Sequence, residues 1–349
     1  MSNKLKAFMS LAVGWFALVT MASSRVHLQI VKPVLLWGQK EVKLDEAILR
    51  ELELMGFGGF RDVEPIGFCL AFSPDGQLLA VGKLNGLVLL RASNGEKLHS
   101  FWWRSSFGSI PSSVVFTLDG QYVLAGPKSD GSVKMWRVSD GTLVKSLSGV
   151  GWLRPLALHP DGKHLAAGEM GITLFCLPEG EKVDYWAMPH GTPSFVSLAF
   201  SPDGRMLAAG TYYAKAYLLS FPSGKLIATL EQPYPNASAV AFSPDGKWLV
   251  VGCAKGTVTF WRLPDCQLVR TLSTGRDEEI GALAFSPDGH WLVIGGQELS
   301  IWSVKEERLV GTVPEHEGRA RALAFSPDGK LLAVATWGGV KVWRWQEER

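Results

Sequence analysis

Along most of the chain, short apolar runs alternate with short polar turns. Ala239–Phe242 is followed by Ser243-Pro244-Asp245-Gly246, then by the apolar run Trp248–Val251 ending at Gly252. A second turn leads into Gly256–Trp261, which closes on a tryptophan. Runs this short, β-branched and punctuated by Gly every several residues, predict strands, because a helix needs a longer stretch with apolar positions three and four apart. The turn has a mechanism of its own. Pro presets φ, Asp hydrogen-bonds nearby backbone, and Gly accepts the left-handed conformation.

The same turn recurs at Ser73–Gly76, Thr117–Gly120, His159–Gly162, Ser201–Gly204, Ser286–Gly289 and Ser326–Gly329. The residues just before the seven turns are Phe72, Phe116, Leu158, Phe200, Phe242, Phe285 and Phe325, spaced by 44, 42, 42, 42, 43 and 40. A fixed period of this size with only strand-like runs inside it predicts an all-β, seven-bladed β-propeller built of four-stranded antiparallel blades. In each unit a narrow first strand carries small residues such as Ala71, Ala199 and Ala284, which suits crowding around a central axis. The second strand is continuously apolar (Leu78–Val81, Leu207–Ala209, Leu292–Ile294), as expected of a strand covered on both faces. The third ends in a large residue, among them Trp136, Trp261, Trp302 and Trp343, and a more polar fourth strand follows. The last unit stops after three strands at Trp343–Trp345, so an N-terminal segment is expected to supply the missing edge. Counting back from Phe72 by the spacing of the other fourth strands points to Leu54–Phe60, with Val26–Val31 as the alternative.

Ahead of the repeats, the pattern changes. Lys4 and Lys6 precede an uncharged run from Ala7 to Ser24, ending in small residues, which has the build of a secretory signal cleaved near Ala22. An uncleaved membrane anchor and a buried helix are the other readings. From Leu44 the apolar positions fall at 44, 48, 52 and 55, a helical period capped by Asp45 and stopped by Gly56. The expected organisation is a signal or anchor over 1–24, an extension with a short helix over 25–55, and the propeller over 56–349.

With Ser-Pro-Asp-Gly between the first two strands and Trp closing the third, the units resemble WD-repeat propellers, and more closely the bacterial WD-like branch. The departures are informative. Arg137, Arg262, Ser303 and Arg344 follow the Trp where the family carries Asp, and the Gly-His pair before the first strand is missing. The second strand ends in Gly82, Gly126, Gly168, Gly210, Gly252 or Gly295 where Ser or Thr is usual. The resemblance therefore implies blades held by apolar packing in place of the family's buried polar tetrads, and a noncatalytic protein-interaction scaffold.

Composition narrows the function further. A net charge of +2 over 349 residues is not the footprint of a nucleic-acid binder. The four cysteines lack CxxC spacing and read as small buried hydrophobes. His159 and His290 fall in or beside the Pro-Asp-Gly turns and His164 starts a second strand, no metal sphere is legible, and neither a cofactor nor a catalytic cluster is expected. The loops at the channel mouth, between fourth and first strands and between second and third strands, are rich instead in the aromatic and Arg residues of binding hot spots. The partner-binding candidates are Trp102, Trp103, Trp152, Arg154, Tyr212, Tyr213, Arg319, Arg321 and Trp337. The expected function is a scaffold, exported or tethered through residues 7–24, binding a protein partner through this face as a monomeric propeller within a larger assembly. Two alternatives stand beside it: an accessory subunit of a membrane complex, and a channel-site enzyme or binder whose Arg154, Arg319 and Arg321 hold an anionic small molecule.

Overall fold

The computed structural model describes residues 34–38, 69–103, 110–127, 131–148, 155–188, 194–313, 318–336 and 338–345. Residues 7–24 and the expected helix from Leu44 lie outside them, and among the described residues no helix is long and apolar enough to cross a membrane.

The described residues form seven four-stranded antiparallel sheets. Six are built from consecutive strands, as in Ala239–Phe242, Trp248–Gly252, Thr257–Arg262 and Gln267–Ser273. The second and third strands of each blade are buried almost throughout, whereas the fourth is largely exposed, as at Leu143–Leu147. That gradient explains the sequence pattern: continuous apolar runs lie where neighbouring blades cover both faces, and mixed composition lies at the rim. Seven apolar clusters hold the ring, one at each interface between adjacent blades. The cluster joining the last blade to the first packs Leu70, Leu79, Val88 and Leu90 against Ala333, Ala335, Val340 and Val342.

The seventh sheet is completed by Val34–Gly38, which pairs antiparallel with Gly339–Arg344 and brings Val34 opposite Arg344. The closing strand is therefore neither Leu54–Phe60 nor Val26–Val31. Spacing taken from the other blades does not apply to it, because the chain from this strand leads to the next blade without having built three preceding strands in its own. The connection from Gly38 to Leu70 is correspondingly longer.

The Ser-Pro-Asp-Gly turns are structural. Ser243 is buried, its Oγ donates to Asp245 Oδ1 at 2.6 Å and accepts the Trp248 N–H at 2.9 Å, and Asp245 in turn accepts the Lys247 N–H at 3.1 Å. Ser73, Thr117, Ser201, Ser286 and Ser326 repeat the hydroxyl-to-carboxylate bond at 2.5–2.6 Å. These bonds hold the carboxyls of Asp75, Asp203 and Asp328 below the usual carboxylate range. A serine with both hydroxyl functions committed to its own turn is not a nucleophile.

The signature tryptophans sit in apolar surroundings, as the departures from the family pattern imply. Trp136 packs against Phe101 and Trp103 with ring centroids 5.6 and 5.8 Å away, and Trp343 is fully buried. Trp261 keeps a polar partner of a different kind: its Nε1–H donates to Thr259 Oγ1 at 2.9 Å, and that hydroxyl donates to Gln232 Oε1 at 2.7 Å. Both Thr259 and Gln232 are buried, so the relay is shielded from water.

Candidate functional site

Antiparallel strands alternate direction, so two rims form. The Pro-Asp-Gly turns lie on one. The loops from fourth to first strand, and the turns from second to third, lie on the other, the channel mouth.

At the mouth, Thr211 ends a second strand and fixes the turn that follows. Its Oγ1 donates to the Lys215 carbonyl at 2.8 Å and accepts the Tyr213 N–H at 3.2 Å. The loop into the fifth blade is strapped to this turn, with Asn236 N–H on the Tyr212 carbonyl at 3.0 Å and Ala237 N–H on the Thr211 carbonyl at 2.8 Å. With its backbone bonds spent internally, the turn holds Tyr212 and Tyr213 outward; Tyr213 is 62% exposed. Tyr234 is exposed on the strapped loop, with Lys255 Nζ of the next blade 5.1 Å from its ring centroid. In the third blade Met170 and Tyr185 are exposed, and the Tyr185 ring lies against Gly171 at the same rim, with Lys182 Nζ 5.1 Å away. An arc of exposed aromatic and Met side chains thus spans the third and fourth blades and the loop into the fifth.

The sequence candidates divide accordingly. Tyr212 and Tyr213 belong to the arc. Trp102 is exposed on the first blade, away from the arc, with Lys83 Nζ 4.0 Å from its ring centroid. Burial, and then the charge of Lys97, pull the Lys83 ammonium down to about 8. Trp103 is only 7% exposed and packs with Phe101 and Trp136 in the core between the first two blades, so it offers no surface to a partner. Trp152, Arg154 and Trp337 lie outside the described residues. Tyr185, Met170 and Tyr234 complete the arc. Tyr234 was visible in the sequence as a loop aromatic, whereas Tyr185 lies within a strand and carried no such signal.

The channel is a cavity of about 260 Å³ walled by the innermost strands, including Ser113, Ser197, Ser238 and Arg321. Its hydroxyls are largely used to bind the wall together. Ser238 Oγ donates to the Ile280 carbonyl at 2.5 Å, and Ser197 Oγ accepts the Val240 N–H at 2.9 Å. Ser113 Oγ reaches the Leu156 carbonyl at 3.4 Å. Arg319 Nη1 is paired with Glu279 at 2.6 Å, and burial, then repulsion from Arg319, lower the pKa of Arg321 while Glu279 raises it. Two of the three arginines proposed for an anion therefore come together, with one carboxylate, paired to Arg319, offsetting one of their two charges.

None of Cys69, Cys176, Cys253 and Cys266 forms a disulfide, and Cys176 and Cys266 are only partly buried, unlike the expected buried hydrophobes. Cys69 and Cys253 are buried as expected, and burial pushes the Cys253 thiol up to about 12. Among the described residues, one cluster of potential metal ligands forms on the turn side: His159, Asp161 and His164. The signal for it was in the sequence, as the one turn that begins with His in place of Ser or Thr.

A seven-bladed ring with an N-terminal closing strand, Trp-ended third strands and a loop-built mouth defines a WD-type propeller. The family described as WD domain, G-beta repeat matches residues 64–90, 98–137, 224–262, 266–302 and 307–344, more than half of the chain. The chain belongs to that family, whose propellers are generally non-catalytic scaffolds. The matched segments 98–137, 224–262 and 307–344 each run from the outermost strand of one blade through the third strand of the next, so sequence repeat and structural blade are offset by one strand.

Two relatives are similar over part of this ring. The telomerase protein component 1 of Rattus norvegicus is 32% identical over 107 residues, 30% of this chain and 4% of the rat protein. An uncharacterized WD repeat-containing protein of Synechocystis sp. is 28% identical over 103 residues, 29% of each chain. The matched stretches thus span well under two thirds of either relative.

Proposed function

We propose that this propeller is a noncatalytic protein-interaction scaffold that captures a partner on the aromatic arc of its channel mouth, with Trp102 as an outlying contact. The observation that carries the reading is the pair Tyr212 and Tyr213, exposed on a turn whose backbone is tied to Asn236 and Ala237. Rigid, exposed aromatic side chains supply large contact area at little entropic cost, which is what binding hot spots require. The neighbouring Lys182 and Lys255 favour a partner with acidic residues around an apolar centre.

The propeller is, in this reading, exported or tethered by residues 7–24. Support comes from Lys4 and Lys6 ahead of the uncharged run Ala7–Ser24; Val34 lies opposite Arg344, at the turn-side rim, so a tether would join the ring on the side opposite the mouth. A tether there leaves the arc facing away from the membrane. Mature N-terminal sequencing tests this, with a start near Ser23 favouring export and an intact Met1 favouring the anchor.

The binding test is a photo-crosslinking residue placed at position 213 and, separately, at position 246 on the opposite rim. Crosslinks to one defined protein from 213 alone, lost on replacing Tyr212 and Tyr234 with Ala, support the reading. Equal crosslinking from 246, or capture unchanged in the Ala variant, overturns it.

A further inference from the structure

The third blade breaks the repeat at the residue that organises its turn. Six of the turns begin with Ser or Thr; the third begins with His159, buried where the small hydroxyl sits elsewhere. The imidazole is held from two directions. Its ring packs into the corner made by Phe200 and Phe221, with centroids 4.9 and 4.2 Å away, and Nε2 lies 2.9 Å from the Gly204 carbonyl of the next blade. A carbonyl only accepts, so Nε2 carries a proton, and in the neutral ring Nδ1 presents its lone pair. That lone pair faces the Asp161 N–H at 3.1 Å and Asp161 Oδ1 at 2.9 Å. The other carboxylate oxygen, Oδ2, lies 2.7 Å from His164 Nδ1. One carboxylate is thus set between two imidazole nitrogens, one of them, in the neutral ring, a lone pair 2.9 Å from an anionic oxygen. Two electron-rich atoms in that position repel unless a cation lies between them, and either a proton on Nδ1 or a metal ion supplies it.

We propose that His159 Nδ1, Asp161 and His164 Nδ1 form a three-ligand site for a divalent first-row transition ion, with Zn²⁺ the best fit. Two imidazoles and one carboxylate are the borderline donor set that such ions take, in preference to Mg²⁺ or Ca²⁺, which favour all-oxygen sites. The donor atoms lie within 4.8 Å of one another. The nitrogen–oxygen separations of 2.9 and 2.7 Å are hydrogen-bond distances, and an ion bound at about 2.1 Å requires them to open to about 3.0–3.4 Å, a change the partly exposed His164 can make more easily than the packed His159. The hydrogen bond from Nε2 to the Gly204 carbonyl is the outer support that ligating histidines characteristically have: it fixes the tautomer and aims the lone pair. The remaining coordination positions open to solvent on the Asp161 side, which is exposed.

The site stands apart from the aromatic arc, on the opposite rim, and is independent of the function proposed above. The test uses the full chain stripped with a chelator, titrated with Zn²⁺ by calorimetry and with Co²⁺ by visible absorption. One ion per chain is expected. His164→Ala should weaken binding by about a hundredfold or more, the scale on which even supporting groups matter. His159→Ser should do the same while restoring the hydroxyl turn of the other blades, so that loss of binding cannot be ascribed to loss of fold. His290→Ala, at a His-Asp pair 3.4 Å apart in the sixth blade, should change nothing. No binding by the unmodified chain, or binding retained in either His159→Ser or His164→Ala, overturns the site.

Discussion

Gly204 and Gly246 hold the same position in successive turns, with φ of +72° and +69°, and they provide a matched pair for measuring what His159 does to the fold. Replacing either with Ala forces an L-residue into the left-handed region. That costs about 1–2 kcal/mol, partly offset by the lower entropy of the unfolded Ala chain, for a net of about 1 kcal/mol. At Gly246 nothing lies within 4 Å of the added Cβ, so the backbone term is the whole cost. At Gly204 the Cβ would collide with the imidazole of His159, which the Phe200 and Phe221 rings prevent from moving aside. Forced overpacking adds about 1–3 kcal/mol and the lost bond to the Gly204 carbonyl about 1 kcal/mol, so Gly204→Ala should cost about 3–5 kcal/mol in all. Urea unfolding reads the difference directly. In a melt, the unfolding entropy of a ring this size gives about 2 °C per kcal/mol. In a His159→Ser background the cost of Gly204→Ala should fall back to about 1 kcal/mol. Equal costs at the two glycines, or no relief in the double variant, would refute the steric argument.

Other outcomes follow from the same structure. Thr259→Val removes the acceptor of Trp261 Nε1 and the donor to Gln232 inside a buried relay, and should cost about 2–3 kcal/mol in urea unfolding. Thr271→Val, at the exposed residue paired with Thr259 across the strands, should stay within about 0.5 kcal/mol. Deleting residues 1–38 leaves Gly339–Arg344 as an open edge, so the truncated ring should self-associate in light scattering, whereas a monomer of unchanged melting temperature would contradict the closing role of Val34–Gly38. The lowered pKa values of Asp75, Asp161, Asp203, Asp245 and Asp328 mean that the unfolded chain binds more protons than the folded one in acid. Their stabilisation is fully present above about pH 4 and is lost as pH falls towards about 2, where Asp161 titrates. The urea midpoint should drop across that window, and less steeply in Asp161→Asn.

The ring was legible in the sequence because a turn with a physical mechanism recurs at nearly constant spacing, and because strands covered on both faces must be apolar throughout. The closing strand was not, since its separation from the first blade obeys no repeat. The candidate surface was half legible. Trp102 and Trp103 look equivalent as neighbours in a loop, yet side chains at consecutive strand positions point to opposite sides, so Phe101 and Trp103 turn into the core while Trp102 turns out. Alternation alone would have separated them. The aromatic arc gathers residues from the third and fourth blades and the loop into the fifth, and only the ring brings those together. His159 was visible as a departure from the repeat, but what it faces depends on Gly204 in the next blade, and sequence spacing does not show that contact.

The closing strand also determines how the molecule answers to force. Val34 and Arg344 sit opposite one another, so both ends of the ring leave the same edge of the same sheet. A pull between them does not shear the pairing, which would load its hydrogen bonds together. It peels the strand from Gly339–Arg344 one pair at a time, the weaker of the two geometries. A load borne between a tether at one terminus and an attachment at the other would therefore open the seventh blade first. The same load carried between a tether and the mouth would spread through seven apolar interfaces. The ring is built to be held by its face, and it yields when drawn by its ends.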